Sequence, residues 1–177
     1  MSLRELLSQK RGPILRRWTD LIAAAHPAGT APFAKGRDEF HDPEGRTLSR
    51  ETAALYDELL QDRMDSGRVC ASLDGIVRMR AVQEFSPGQA TGFLFLLKEA
   101  IAEELAGEME QGRLFRQWLE FEARVDRVVS LAFDVYSQCR EQVCQLRVKE
   151  ISTDRDLAFR LLELVEGAGR KRVEAAE

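Results

Sequence analysis

The feature that most constrains the fold is a heptad repeat of apolar residues in the C-terminal half of the chain. Apolar side chains recur at alternating steps of four and three residues from Leu114 to Cys139. This spacing puts them on one side of an α-helix and is typical of helices that pack along their length. The repeat therefore predicts one long helix with a continuous apolar seam.

Beyond Cys139 the repeat changes phase, because the next apolar residues are Val143 and Leu146. The extra step of four is a stutter, which locally unwinds a supercoil. A second apolar stripe runs beside the first and consists of Phe115, Leu119, Val129, Phe133 and Tyr136. One stripe can pack on the rest of the domain while the other meets a second copy, so we expect a homodimer through this helix. We assign the dimer seam to Trp118, Phe121, Val125, Val128, Ala132, Val135 and Cys139.

The rest of the chain also has helical rather than strand periodicity, since alternating β-branched runs are missing. The fold class predicted is all-α. A first helix is expected over residues 3–25, with a break at residues 10–13 because Pro13 lacks a backbone donor. Prolines and glycines concentrate in residues 26–46, which predicts an irregular segment there.

Two further helices are predicted over residues 47–63, with Thr47 as a possible cap, and over residues 67–84. The sequence Ser86-Pro87-Gly88-Gln89 is a capping box with proline at the first helical position, so a helix should begin there.

That helix continues into residues 93–97, which are all apolar, and we expect it to be central and buried. A shorter helix is predicted over residues 153–165. The folded domain should cover residues 1–166, and residues 167–177 should form a polar C-terminal tail.

The charge and hydropathy of the chain exclude several classes of partner. A net charge of -4 argues against nucleic-acid binding, which needs a basic face. The uncharged stretch at residues 85–97 is shorter than the about 20 residues that cross a bilayer, so no membrane insertion is expected. Arg4 and Glu5 lie where a signal peptide has its apolar core. We therefore expect a cytoplasmic protein.

Catalytic and metal-binding patterns are missing from the sequence. The two histidines, His26 and His41, lie beside prolines and not within a helical pattern, and no ExxH motif occurs. The three cysteines form no CxxC pair, and neither a GxSxG turn nor a phosphate-binding loop is present. We expect no enzyme activity, no metal and no cofactor.

Some polar residues interrupt apolar segments and need an explanation. Arg80 and Gln83 lie in such a segment, and Asp126 and Asp134 lie within the long helix. A buried charge must be paired or must line a cavity. Salt bridges between helices are the first explanation, and an anchor for a small anionic or polar ligand is the second. The candidate pocket or buried polar cluster comprises Arg80, Gln83, Phe93, Asp126, Phe133 and Asp134.

Several stretches resemble a known family. They are residues 80–87 (RAVQEFSP), 93–98 (FLFLLK), 42–47 (DPEGRT), 124–127 (RVDR) and 132–136 (AFDVY). Taken in their order along the chain, these stretches are similar to the N-terminal domain of RsbR-type regulators, and in particular to the variant called RsbRD. The resemblance covers about residues 3–150.

The resemblance implies a globin-like helical fold without haem, a dimer through the last long helix, and a role as input module of stress-signalling regulators. Such modules usually precede a STAS domain or a kinase, and none follows here before Glu177. We expect a free-standing homodimeric sensory or regulatory domain that binds a small ligand or a downstream protein partner. A scaffold protein without a pocket, and a haem or metal protein, remain alternatives.

Overall fold

A computed structural model describes residues 1–25, 43–83, 85–109 and 114–174. Side chains are described up to residue 160, apart from those at positions 43, 44, 156, 158 and 159. The described residues contain helices and no strand. The helices are α1 (Leu3–Gln9), α2 (Arg11–Ala24), α3 (Pro43–Leu59), α4 (Ser66–Val82), α5 (Pro87–Thr91), α6 (Phe93–Glu104), α7 (Ala106–Met109) and α8 (Phe115–Glu174). The all-α class and the long C-terminal helix are confirmed.

The N-terminal helices show the predicted break. α1 begins with a capping box in which Ser2 Oγ accepts from the backbone N–H of Glu5 and the Glu5 carboxylate accepts from that of Ser2. α1 ends at Gln9 with Lys10 as its C-cap, and α2 begins at Arg11. Pro13 has no N–H to donate into the preceding turn, so it is accommodated in the first turn of a new helix.

The predicted bounds of the next two helices were partly wrong. α3 begins at Pro43 and not at Thr47, which lies inside the helix, and it ends at Leu59 before the predicted residue 63. Proline fits the first turn of a helix because its fixed φ is helical and no N–H is needed there. Residues 26–42 of the predicted irregular segment lie outside the described residues. α4 begins after Asp65, whose carboxylate accepts from the N–H groups of Gly67 and Arg68.

The capping box at Ser86 is confirmed, but the helix that it opens is interrupted. Ser86 Oγ accepts from Gln89 N, and the Gln89 side chain accepts from Ser86 N at 3.0 Å. The chain leaves α5 and enters α6 at Gly92. A Cβ at Gly92 would lie 2.6 Å from the carbonyl oxygen of Gly88, a distance that real Cβ atoms do not adopt. Glycine is therefore required at this junction.

The first compact unit, Met1–Cys139, holds the hydrophobic core. Trp18 of α2 is fully buried, stacks on Phe93 of α6 and donates from Nε1 to the Phe93 carbonyl at 2.7 Å. Tyr56 of α3 is also fully buried and donates to the Leu7 carbonyl at 2.9 Å. These bonds join α1, α2, α3 and α6 around one core.

The expectation that residues 93–97 are buried is only partly met. Phe93, Leu94 and Leu97 are buried in α6, whereas Phe95 is 50% exposed. Lys98 Nζ lies 6.0 Å from the centre of the Phe95 ring. An apolar run longer than one buried face must expose a side chain when one side of its helix remains uncovered.

The second unit, Arg140–Glu177, is the C-terminal part of the chain. The prediction of a separate helix over residues 153–165 was wrong, because α8 continues through that range to Glu174. Apolar side chains on this part of α8 are exposed, namely Leu146, Val148, Ile151 and Leu157. The division into a domain at residues 1–166 and a tail at 167–177 stays a prediction.

Among the described residues, no helix combines the length and apolar character needed to span a bilayer.

Candidate ligand-binding site

Arg80 lies in the last turn of α4, on the buried side of that helix. Ile76 and Val77, which precede it by four and three residues, are fully buried and share its face. The Arg80 residue is only 4% exposed. The charged side chain of Arg80 therefore lies on the buried face of α4, where Ile76 and Val77 lie one turn earlier.

The described residues around Arg80 supply hydrogen-bond partners to only part of its guanidinium group. Nη1 donates to the backbone carbonyl of Gln89 at 3.0 Å. The guanidinium carbon lies 4.8 Å from the centre of the Phe93 ring and 5.6 Å from that of Phe85. Nε is buried and has no hydrogen-bond partner among the residues that the structure describes. A buried donor without a partner carries a desolvation cost, which a bound acceptor would remove.

Arg80 lines a cavity of about 270 Å³ inside the first unit. The wall comes from α2, α4, α5 and α6 and from Phe85 between α4 and α5. The lining residues are Ile22, Ala25, Arg80, Phe85, Gly88, Gln89, Gly92, Phe93 and Leu96. Among the residues that the structure describes, Arg80 is the only ionisable side chain in this lining, which is otherwise mostly apolar.

Burial sets the protonation behaviour of this cation. Removal from water disfavours the charged form and lowers the pKa of Arg80 to about 10. The guanidinium still carries its proton at neutral pH. The cavity therefore places the positively charged Arg80 side chain beside any molecule that enters it.

The structure brings together only part of the predicted polar cluster. Phe93 lines the cavity with Arg80, and Gln83 lies half-buried at the C-terminal cap of α4. Asp126 is exposed on α8, where its carboxylate accepts from Lys98 Nζ at 2.8 Å. The alternative of a salt bridge between helices therefore describes Asp126.

Phe133 and Asp134 also lie away from Arg80. Phe133 is 51% exposed on α8. Asp134 lies in a separate polar hollow that Arg124, Arg127 and Asp62 also line. Neither residue belongs to the cavity lining, so the prediction joined residues from several places in the fold.

Sequence reasoning missed most of the cavity wall. Gly88 and Gln89 were recognised only as helix-start residues and Gly92 was not singled out, yet all three residues line the cavity. The pair Gly88 and Gly92 was the available sequence signal for a cavity, because two glycines four residues apart leave room beside a helix. Ile22 and Leu96 had no such signal, since nothing local distinguishes them from other core residues.

Metal binding finds no support in the described residues, which include no group of three or more histidine, cysteine, aspartate or glutamate side chains able to hold an ion. His26 and His41 lie outside the described residues.

The chain matches the family described as the RsbT co-antagonist protein rsbRD N-terminal domain, over residues 12–151. The chain belongs to this family. An uncharacterized protein of Archaeoglobus fulgidus is 28% identical over 154 residues, which cover 86% of this chain and 92% of that protein. No solved structure matches the chain. Family membership makes the chain an RsbR-type domain and points to a signalling regulator.

In this RsbRD N-terminal domain, most of the predicted dimer seam faces the core of its own chain. Phe121, Val125, Val128, Ala132 and Cys139 are buried within a single copy, and Trp118 and Val135 are partly buried. These side chains already have partners in one chain. The dimer stays a prediction. Within the first unit, the large apolar side chains that α8 leaves exposed belong to the second stripe and are Phe115, Leu119 and Phe133.

The RsbRD N-terminal domain also has a direct link between its cavity and α8. The Tyr136 hydroxyl is buried and donates to the Phe85 carbonyl at 2.5 Å. Phe85 lines the cavity, and its N–H donates to the Arg80 carbonyl at 3.1 Å. A displacement of Phe85 would therefore act on α8 through one hydrogen bond.

Proposed function

We propose that this chain is a non-enzymatic sensory or regulatory domain of a stress or environmental signalling pathway, acting in the cytoplasm. It binds a small ligand in the Arg80 cavity and transmits the binding event to a downstream signalling protein. The observation that carries this proposal is the buried Arg80 guanidinium, whose Nε lacks a partner among the described residues beside a cavity of about 270 Å³. A buried charge with an unpaired donor is costly, so this arrangement suits binding better than stability.

The route for the signal runs through Phe85 to α8. A ligand beside Arg80 contacts Phe85, and the Phe85 carbonyl accepts the hydrogen bond from Tyr136. Three residues after Tyr136 lies Cys139, where the first compact unit ends and the stutter begins. A stutter is a compliant point in a packed helix, because it locally changes the supercoil. A small shift of α8 at this point would carry the signal.

The proposed form is a homodimer joined through α8. Phe115 and Leu119 are 63% and 48% exposed on this helix, and Leu146 and Ile151 are exposed further along it. Large apolar side chains concentrated on one exposed element mark interaction sites. A second copy would remove these groups from water and would place two cavities in one assembly.

Sedimentation analysis and a ligand screen by thermal shift test this proposal together. We expect a dimer at micromolar concentration and a compound class that raises the melting temperature. A strict monomer would refute the homodimer. A screen of charged and neutral small molecules with no stabilising compound, together with no binding protein, would refute the sensory role.

A scaffold protein that acts only through its surface is the second candidate. The exposed apolar side chains of α8 favour it, since they require no ligand. The two candidates differ in their response to Tyr136→Phe. A ligand-driven domain should lose the effect of ligand on partner binding, whereas a scaffold should bind its partner unchanged.

A further inference from the structure

The Arg80 cavity has the chemistry of a site for a small carboxylate, an inference that rests on the proposed ligand-binding function. Arg80 is buried, and its Nε–H has no acceptor among the described residues. A guanidinium binds a carboxylate through parallel N–H bonds, of which Nε–H commonly supplies one. The missing acceptor therefore matches an oxygen of such an anion.

The single positive charge of Arg80 favours a ligand that carries one negative charge. The described part of the cavity lining holds no second ionisable side chain, and the Gln89 carbonyl already accepts from Arg80 Nη1. A phosphate dianion would leave one charge and several oxygens without protein partners against a largely apolar wall. One guanidinium balances one carboxylate.

The other side chains that line the cavity favour a ligand whose carboxylate is attached to an apolar group. Phe85, Phe93, Leu96 and Ile22 line the cavity around the guanidinium. The volume of about 270 Å³ exceeds the cavity of about 150 Å³ that suffices to bind benzene in an apolar protein interior. We propose that the cavity binds an apolar monocarboxylate of about the size of benzoate, with the carboxylate on Arg80 and the apolar body among these side chains.

Benzoate and its neutral isostere benzamide are the probes for this site, and calorimetric titration of the full chain at neutral pH is the measurement. The two compounds have nearly the same shape, so their difference reports the charge. We expect benzoate to bind at least tenfold more tightly than benzamide. Equal affinities, or binding of neither compound, would overturn the proposal.

Two arginine variants locate the binding. Arg80→Gln removes the buried charge, and Arg68→Gln removes an exposed one from the start of the same helix. We expect Arg80→Gln to weaken benzoate binding at least tenfold and Arg68→Gln to leave it unchanged. Full binding by a folded Arg80→Gln variant would overturn the proposal. If that variant does not fold, the comparison of benzoate with benzamide on the natural chain decides.

Glu84 provides the remaining control, since it follows Arg80 by four residues and lies outside the described residues. Benzoate binding by Glu84→Gln but not by the natural chain would overturn the proposal, because the carboxylate on Arg80 would then belong to the protein. Stabilisation by a neutral compound or by a protein partner, without benzoate binding, would refute the carboxylate inference and leave the sensory role intact.

Discussion

Two buried tyrosine hydroxyls donate to backbone carbonyls that belong to other parts of the first unit. Tyr136 binds the carbonyl of Phe85, and Tyr56 binds that of Leu7. Both carbonyls lie near helix ends, where backbone acceptors lack partners within the helix. Each tyrosine therefore contributes one hydrogen bond that fixes a connection between elements.

Removal of the Tyr136 hydroxyl tests the link between the cavity and α8. Tyr136→Phe removes the hydrogen bond from Tyr136 to the Phe85 carbonyl, so we expect the free energy of unfolding to fall by about 0.5–1.5 kcal/mol. Urea denaturation measures this change. Ser137→Ala removes a neighbouring exposed hydroxyl and should change stability by less than about 0.5 kcal/mol. Equal effects of the two substitutions would contradict the assigned role of Tyr136.

Tyr56 should make stability depend on pH in the alkaline range. Burial raises the pKa of Tyr56 above its ordinary value of 10.0, because the phenolate is poorly solvated in the core. The folded state therefore holds this proton more tightly than the unfolded state. The contribution of the Tyr56 proton to the free energy of unfolding is complete below about pH 10. It is lost as the pH rises from about 10 towards the pKa of Tyr56 in the folded state.

We expect the free energy of unfolding to fall above pH 10 with a steeper slope in the natural chain than in Tyr56→Phe. Denaturation at a series of pH values measures both slopes. Identical slopes would show that Tyr56 ionises without unfolding.

At the scale of single elements, the junction of α5 and α6 depends on one glycine. A Cβ at Gly92 would lie 2.6 Å from the Gly88 carbonyl oxygen, whereas a Cβ at Gly88 would meet nothing within 4 Å. Overpacking at a fixed junction forces the backbone to move. Gly88 should therefore tolerate substitution by a residue with a Cβ and Gly92 should not, although both glycines line the cavity.

Alanine substitution of each glycine gives a matched pair. Gly92→Ala should lower the free energy of unfolding by about 1–3 kcal/mol. Gly88→Ala should be neutral or should raise it by up to about 1 kcal/mol, because alanine loses less conformational entropy in a helix. Thermal and urea denaturation measure both. A Gly92→Ala variant as stable as Gly88→Ala would refute the close approach at this junction.

At the scale of the whole molecule, the long helix has two kinds of apolar surface. The heptad seam from Phe121 to Cys139 lies largely in the core of its own chain, so a heptad repeat alone does not identify a dimer interface. In the first unit, the exposed side chains of Phe115, Leu119 and Phe133 on this helix are available to a second copy. The proposed dimer therefore depends on the stripe that the repeat did not single out.

Charge substitution on that stripe should weaken the dimer. Leu119→Glu and Phe133→Glu place a carboxylate in the proposed apolar contact, so we expect dimer dissociation constants at least tenfold higher in sedimentation experiments, because burying an unpaired charge is unfavourable. Gln138→Glu adds the same charge at an exposed polar position of α8 and should have no effect. Unchanged association of both stripe variants would exclude this face as the interface.

Local signals were predictable where their physics is local. The break at Lys10 follows from Pro13, and the helix start at Ser86 follows from a capping box completed by Gln89. The start of α3 was missed because Thr47 and Pro43 both resemble helix beginnings, and the interruption at Gly92 was missed because a short apolar helix and a long one share the same pattern. Competing local signals are resolved only by packing.

The sequence by itself determined that this chain is helical, that its longest helix carries a continuous apolar seam, and that Arg80 interrupts an apolar face. These properties follow from the order of residues along a helix, which has a fixed period. Only the tertiary structure decided that the seam packs mainly within one chain, that Asp126 pairs with Lys98, and that Arg80 lines a cavity with Phe93. The physical reason is that burial and charge pairing depend on neighbours distant in sequence, which helical periodicity does not specify.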